Sequence, residues 1–534
     1  MGFVRVLARR SMLLLAMSYL TAPWVKAQQA PSDTMTIQVN SSLVFLDVTV
    51  LDKKGHPVVT GLTKDDFSIT DDKKPQRIFS FEPPERHTID THATADHPAG
   101  SLPVTIFVVD LLDSSFSDFA YIRFMVHKYL AAQPSQLKAP AELMVLGNDS
   151  LEMVQGYTRS KADLIYALDH IQTTLPYKEM NGSFASERFG QAIDALQQIA
   201  LQNKGISGHK NIIWVGHGGP SMETFGLPGS TVEELNRYVH DTTNQLVDAR
   251  MSLFVLYPGL PVGGPILTLS QLSANFNFGD DDDPFSGDIN FGVFVNETGG
   301  KLFYNRNDVN TEIKEAQQLG SEYYTLTYQP TAGNMDGKFR RIRVTLRNPN
   351  LHAMTKTGYF APDKTAAADA RQQRIVDISE ALYSTLPLDT LGVTITNVVR
   401  HPDTHTAQFT VLLAPRNIAW QRTDNGGSSV DFTLAAASLS GYRNFLATRV
   451  LSLKASSNSQ DSARLGALVT RIPVTIRIPR KTHTVRVVIQ LTASGRTGAA
   501  ELTRKAIDHA PQAPTPAPHL LPRSQKPQVP SSQP

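Results

Sequence analysis

Four short, almost wholly apolar runs set the frame of this chain: VTIFVVD (104–110), AELMVLG (141–147), KNIIWVG (210–216) and MSLFVLYP (251–258). Between them lie segments with apolar residues at helical spacing: FAYIRFMVHKYLAAQ, SKADLIYALDHI, RFGQAIDALQQIALQ and TVEELNRYVHDTTNQLVDAR. A strand buried on both faces reads as an unbroken apolar run. Strands alternating with helices imply a parallel sheet covered on both sides. GGKLFYN and the helical NDVNTEIKEAQQLG continue the alternation, and SEYYTLTYQP, RRIRVTLRN and TKTGYFAP turn back to β-structure. The prediction is an α/β, Rossmann-like domain over 103–362 with a parallel central sheet.

The flanks read differently. Residues 35–82 alternate, with Val44, Leu46, Val48 and Val50 on one face and polar turns DKKG and DDKK between strands. They predict an N-terminal β-module. Residues 83–102 carry little apolar content and read as a linker. A helical connector is expected over 363–387. Short alternating strands over 388–502, separated by TDNGG and ASGRTG, predict a C-terminal β-sandwich. Residues 503–534 read as a disordered tail, because prolines crowd the segment from Pro511 and almost nothing there can be buried.

The N-terminus addresses the chain. Arg5, Arg9 and Arg10 precede the apolar MLLLAM, and Val25-Lys26-Ala27 supplies a small-residue exit. This is the pattern of a secretory signal over 1–27, with the chain expected to begin at Gln28 after cleavage. An uncleaved anchor is the alternative, but the apolar run is short for a bilayer span. No later segment is apolar enough to span, so export to the periplasm, the cell surface or the medium is expected. The 534-residue chain contains no cysteine, which excludes disulfides, thiolate metal sites and cysteine nucleophiles. Its 51 Lys plus Arg against 49 Asp plus Glu give no general affinity for nucleic acid.

In a parallel α/β sheet, ligands meet the loops at the carboxyl ends of the strands. Asp110 stands at such an end. Three loops are expected to converge there: 110–118, KEMNGSFASER, and GHGGPS after Val215. A plain strand end followed by a capped helix is the competing account.

The arrangement resembles a von Willebrand factor A (VWA) domain, and the combination of phrases resembles the VWFA-related proteins of Acidobacteria. The likeness rests on VTGLTKDDFSI, ETGGKLFYN, YYTLTYQPT, DGKFRRIRVTL and GYFAP, and covers about residues 35–362. It implies a metal-ion-dependent adhesion site with an Asp-x-Ser-x-Ser loop, a Thr from the second loop and an Asp from the third. Mg²⁺ takes oxygen ligands in near-octahedral geometry and keeps waters, one of which a partner's carboxylate can replace. Here Asp110 matches the first Asp and Ser114 the second Ser, while Leu112 stands in place of the first Ser. The second loop offers Ser183 and Ser186 but no Thr. His217 replaces the third-loop Asp. The resemblance therefore implies a degenerate metal site at Asp110, Ser114, Ser186 and His217, with no resident cofactor beyond weakly held Mg²⁺. DSSFS at 113–117 matches the motif by letter, but three residues late. Its Ser117 is read as the N-cap of the next helix.

Other motifs carry less. DDDD at 280–283 lacks the spacing of a calcium loop. His401 and His405 flank a turn rather than share a helix face. HGGP at 217–220 is similar to a lipase oxyanion loop, but no G-x-S-x-G, Walker A or dinucleotide fingerprint exists. Tyr323, Tyr324 and Tyr328 read as strand core. The expectation is an exported, non-enzymatic binding protein whose face for a protein or glycan is Asp110, Ser114, Phe116, Ser186 and His217. Phe116 and Phe119 compete for the role of exposed anchor, with burial of both under the first helix as the alternative. A cell-envelope hydrolase with an unrecognised site and a surface spacer are the rival functions.

Overall fold

A computed structural model describes residues 43–87, 103–112, 114, 116–147, 150–172, 182–206, 208–216, 228–258, 291–306, 308–330, 338–361, 366–415, 418, 420–423, 427–457 and 469–513. The expected leader, His217, HGGP, the DDDD run and the tail beyond Ala513 lie outside them.

The chain opens with β1 (Val44–Leu51), β2 (Phe67–Asp71), β3 (Lys74–Gln76) and β4 (Ile78–Glu82). There follow β5 (Val104–Asp110), α1 (Phe116–Ala131), β6 (Gln136–Leu146), β7 (Leu151–Ser160), α2 (Lys161–Asp169), α3 (Gly182–Gln202), β8 (Lys210–Val215), α4 (Gly229–Asp248), β9 (Met251–Pro258), α5 (Phe291–Glu297), β10 (Lys301–Arg306) and α6 (Val309–Ser321). Next come β11 (Tyr324–Tyr328), β12 (Phe339–Leu346), β13 (His352–Met354), β14 (Gly358–Phe360) and α7 (Ala366–Tyr383). The last part holds β15 (Val393–His401), β16 (Thr406–Leu413), β17 (Gln421–Arg422), β18 (Ser428–Leu439), β19 (Phe445–Ser457), β20 (Thr470–Arg477), β21 (Thr484–Leu491), β22 (Thr497–Thr503) and α8 (Arg504–Asp508).

The α/β sheet has six strands in the order β10-β9-β8-β5-β6-β7. All neighbours are parallel except β6 and β7, which are antiparallel. Successive residues sort to two cores. Ile106, Val108, Ile212 and Trp214 join one with Phe189, Leu196, Val239 and Phe294. Phe107, Val109, Ile213 and Val215 join the other with Phe119, Ile122, Leu164 and Ile313. Two-sided burial is why these strands read as unbroken apolar text. The edge strand β7 escaped the reading because LEMVQGYTRS is half-buried along most of its length and mixes polar with apolar residues. Gly147 N–H donates to the Ser150 carbonyl at 3.0 Å, closing the hairpin that reverses its direction.

The boundaries 35–82 and 103–362 need correction. β11 to β14 do not join the α/β sheet. β11 lies between β1 and β4, and β13 pairs on the other side of β1. β12 lies between β2 and β14. The result is two four-stranded sheets, β13-β1-β11-β4 and β14-β12-β2-β3, around Leu46, Val48, Phe67, Ile69, Tyr324, Leu326 and Tyr328. The α/β domain is an insertion between the two halves of this β-module. Residues 44–82 alone supply four short strands, too little to bury two sheet faces. The linker is also shorter than expected at its start. His87 is buried, and its ring stacks on Tyr323 with centroids 4.2 Å apart.

The C-terminal unit is a sandwich of β15-β16-β20 against β17-β18-β21-β22, with β19 paired to β18. Phe409, Val411, Phe432, Leu434, Val474 and Val487 fill it. Two of its arginines receive the end of α7. Arg486 donates to the Ala381 and Leu386 carbonyls at 2.8 and 2.7 Å, and Arg443 to those of Tyr383 and Ser384 at 2.7 and 2.8 Å. Cations at a helix C-terminus satisfy its orphan carbonyls and complement its dipole. The sandwich also runs past Leu502. Ile507 of α8 is buried, and residues 511–513 pair with Arg400 through Arg400 N–H to Pro511 O and Ala513 N–H to Arg400 O, both 2.9 Å. The expected tail at 503–534 therefore begins no earlier than 514.

Candidate functional site

Asp110 ends β5 in the middle of the sheet, paired with Leu146 of β6 and one step past Val109–Val215 of β8. The β8 chain leaves the sheet through Gly216, whose φ is +148°. A Cβ there would lie 2.5 Å from the Asp110 Cβ, so only glycine lets the third loop pass this close.

The Asp110 carboxylate is buried and turned inward. Oδ1 accepts the Leu112 N–H at 3.0 Å, and Oδ2 accepts the Trp214 Nε1–H at 3.0 Å. Ser114 donates its hydroxyl to the Asp110 carbonyl at 2.9 Å. The loop thus wraps on its own aspartate. Leu112, in the place of a serine ligand, is buried in the core that holds Trp214. Arg188, in the second turn of α3, is only 8% exposed. Burial lowers the affinity of its guanidinium for a proton, and the nearby Asp110 charge opposes that shift.

Phe116 opens α1 and is 73% exposed, whereas Phe119 is 5% exposed and packs with Ile122 and Val126. Of the two, the anchor position falls to Phe116. Ser117 is the second residue of α1 and not its N-cap, since the helix begins two residues earlier than expected. Ser183 and Ser186 belong to α3, but their side chains, like His217, lie outside the described residues. Of the expected constellation, Asp110 and Ser114 come together, and Phe116 follows two residues on at the start of α1.

The rim is acidic. Asp118 sits in the first turn of α1, and Asp308 and Glu312 begin α6, places where the helix dipole favours negative charge. Burial, then Asp118, raises the Tyr257 hydroxyl above its ordinary range. Burial, then Glu312 and Asp308, does the same for Tyr121. Both phenols stay protonated near neutrality. Among the described residues, no group of three or more His, Asp or Glu is arranged to hold a metal ion.

A second polar cluster lies at the opposite, amino-terminal end of the sheet. Asp47 of β1 accepts His209 Nδ1 at 2.9 Å, Arg250 Nε at 3.0 Å and Thr325 Oγ1 at 2.9 Å, and also Arg250 Nη2. Beside it the buried Lys210 donates to the carbonyls of Gly208 and Ala249 at 3.0 and 2.9 Å, and to that of Ile206. Burial lowers its pKa to about 7. The Asp47–His209 pair has the chemistry of a charge-orienting dyad. Among the described residues, however, no serine or threonine hydroxyl hydrogen-bonds His209, and all these groups are buried or nearly so. This is a junction between the β-module and the α/β domain. The tyrosines read as strand core are buried as expected, and Tyr328 and Tyr359 both donate to Asp71 Oδ2, at 2.8 and 2.9 Å.

Sequence reasoning missed Trp214, Arg188 and Gly216. The tryptophan carried a signal. A buried indole N–H needs an acceptor, and Trp214 stands next to Val215, which pairs with the residue before Asp110.

No family model matches the chain, and no curated protein matches it. Among solved structures, proximal thread matrix protein 1 from the mussel byssus is similar over 47% of this chain, at 10% identity and a TM-score of 0.25. The match covers 48% of that protein, so the chain spans about half the length of this relative. The SpRpn10 VWA domain is similar over 43% of this chain and 100% of its own length, at 12% identity and a TM-score of 0.23. At such scores neither likeness carries an argument about function.

Proposed function

We propose that this chain is an exported, non-enzymatic binding protein of the VWA type. Its α/β domain offers the loops at the carboxyl edge of the sheet to a protein or glycan, through an adhesion site that has lost its metal-dependent form. The observation that carries the reading is the contrast at the start of α1. Phe116 stands in solvent beside the Asp110 loop, while Phe119, three residues on, is core. Large exposed aromatics beside a fixed loop are the residues that dominate binding energy at interfaces. The β-module and the sandwich act as supports, and the leader directs the chain to the periplasm, the cell surface or the medium. Among the described residues no helix is long and apolar enough to cross a membrane.

A hydrolase would need an accessible nucleophile next to a base. Among the described residues Asp47–His209 is the nearest approach to such a pair, and no described serine or threonine hydroxyl hydrogen-bonds the histidine. The test is capture from native cell envelope with the chain starting at Gln28, beside its Phe116→Ala and Asp110→Asn variants. Binding that both variants weaken supports the reading. Binding that neither weakens moves the face elsewhere, and turnover of an envelope substrate replaces the reading with the enzymatic one.

A further inference from the structure

The end of α3 carries a buried pair that the binding face does not use. Glu142 of β6 is fully buried, and Gln202, the last residue of α3, is 3% exposed. Gln202 Nε2–H donates to Glu142 Oε2 at 3.3 Å. The other oxygen of each side chain, Glu142 Oε1 and Gln202 Oε1, is buried with no hydrogen-bond partner among the described residues. While the carboxyl is ionised both atoms are acceptors, and neither can satisfy the other. One proton changes that. A carboxylic acid and a primary amide meet side by side through two bonds, amide N–H to carboxyl oxygen and acid O–H to amide oxygen. The first bond is in place, and the acid proton supplies the second to the two orphaned atoms.

The groups around Glu142 favour the neutral form. β5 brings Ile106 alongside it. Tyr157 of β7 donates its hydroxyl to Asn203 Oδ1, and Asn203 Nδ2–H donates to the Ile199 carbonyl. Asp389, in the connector, adds a negative charge that works against ionisation. The cations on the adjoining turn are engaged elsewhere. Lys204 pairs with Asp377 of α7 at 2.6 Å, and Arg496 of the sandwich donates to the Gly205 carbonyl at 3.0 Å. Burial is the main cause that raises the Glu142 pKa to about 8.

These last two contacts give the pair its consequence, because α7 and the sandwich both hold the turn that follows Gln202. Gly205 has a φ of +83°, and a Cβ there would lie 2.3 Å from Arg496 Cγ, so the two units touch closely. We infer that Glu142 is a proton-carrying latch: as a neutral acid it grips Gln202 through two hydrogen bonds and fixes the turn on which α7 and the sandwich rest, and its ionisation in mild alkali releases that turn. The contribution is whole in acid and is lost as pH rises through about 8. The latch does not depend on the proposed binding role.

Two measurements on the full chain test it. Infrared difference spectra between pH 7 and pH 9 should show the loss of a protonated-carboxyl C=O band, and that loss should be absent from Glu142→Gln. A parent with no such band at pH 7, or a variant with the same loss, overturns the inference. The second is amide hydrogen exchange, corrected for its intrinsic pH dependence and read over residues 199–206 and 491–498. Protection there should fall about tenfold or more from pH 7 to pH 9 in the parent, while β8 keeps its own. Glu142→Gln, whose amide N–H replaces the acid O–H, should hold the same protection at both pH values. Unchanged protection in the parent, or an equal fall in the variant, overturns the latch. The variant keeps both bonds of the pair, so its failure to fold at pH 7 also counts against the inference.

Discussion

Asp47 accepts the Arg250 Nε–H at 3.0 Å, although the two residues belong to different domains. Asp47 lies on β1 of the β-module, and Arg250 closes the turn before β9 with a φ of +54°. A non-glycine residue in that conformation carries strain, and the two-point grip on Asp47 is what offsets it. His209 and Thr325 complete the ring of donors. This contact ties the inserted domain to the module, beside the packing of Leu51 and Met354 on the α/β core.

Acid should loosen that junction. Burial alone would raise the Asp47 pKa, but Arg250 and His209 outweigh it and hold the carboxyl well below the usual range. Burial lowers His87, stacked on Tyr323 in the same cluster, to about 4. Both folded values are depressed, so both contributions are present at neutral pH and fall away on acidification. His87 contributes its loss between about pH 6.5 and pH 4, and Asp47 below about pH 4. Urea unfolding from pH 7 to pH 3 should show the decline. Asp47→Asn should cost about 3–5 kcal/mol at pH 7 by stranding Arg250, and it should flatten the steepest part of the curve below pH 4.

Glu142 works in the opposite sense. It is fully buried on β6 and receives Gln202 Nε2 at 3.3 Å, with Tyr157, Asn203 and Asp389 around it. Burial is the main cause that raises its pKa to about 8. A raised carboxyl contributes fully below its unfolded pKa and loses that contribution as pH climbs from about 4.5 to about 8. Each tenfold change in proton affinity is worth about 1.4 kcal/mol, so the loss amounts to several kcal/mol. Glu142→Gln, which cannot ionise, should raise the midpoint at pH 9 and leave it little changed at pH 4. A variant less stable than the parent at pH 9 would mean that the ionised carboxylate has a partner there.

What the sequence disclosed and what it hid follow from the range of the forces. The VTIFVVD run is legible because Ile106 to Val109 alternate between two cores, so four successive positions are apolar. Asp110 is legible because it ends that run. The pairing of Val44 with Tyr328 is not legible. Alternation marks both segments as strands, but nothing local says that two strands so far apart in the chain are neighbours while the α/β domain between them forms a separate sheet. Arg188 is hidden for a related reason. A helix pattern shows which face is apolar, not that an arginine such as Arg188 will be buried. The tail was misjudged because proline content outweighed one residue, Ile507, in AIDHAP.

That residue gives a direct test. Truncation after Ala513 should leave the unfolding midpoint unchanged. Truncation after Ala510 removes the two backbone hydrogen bonds to Arg400, worth about 1 kcal/mol each, and should lower the midpoint slightly. Truncation after Thr503 also removes Ile507 from the sandwich core and should cost about 2–5 kcal/mol, as loss of a large buried aliphatic does. Equal midpoints for all three chains would show that α8 does not dock.

The decisive contrast for function lies within one turn of α1. Phe119→Ala should cost about 3–5 kcal/mol of stability, since its ring fills the core with Ile122 and Val126. Phe116→Ala should change stability by less than about 0.5 kcal/mol, because its ring is exposed. If the carboxyl edge of the sheet is the binding face, Phe116→Ala should nonetheless weaken partner binding about tenfold or more, as loss of an interface anchor does. The loss should be the same in EDTA and in Mg²⁺. Circular dichroism melts and surface plasmon resonance on the same preparations separate the two effects. A Phe116→Ala chain that melts and binds like the parent would remove the anchor from this face and leave Phe124, exposed two turns further along α1, as the next aromatic to replace.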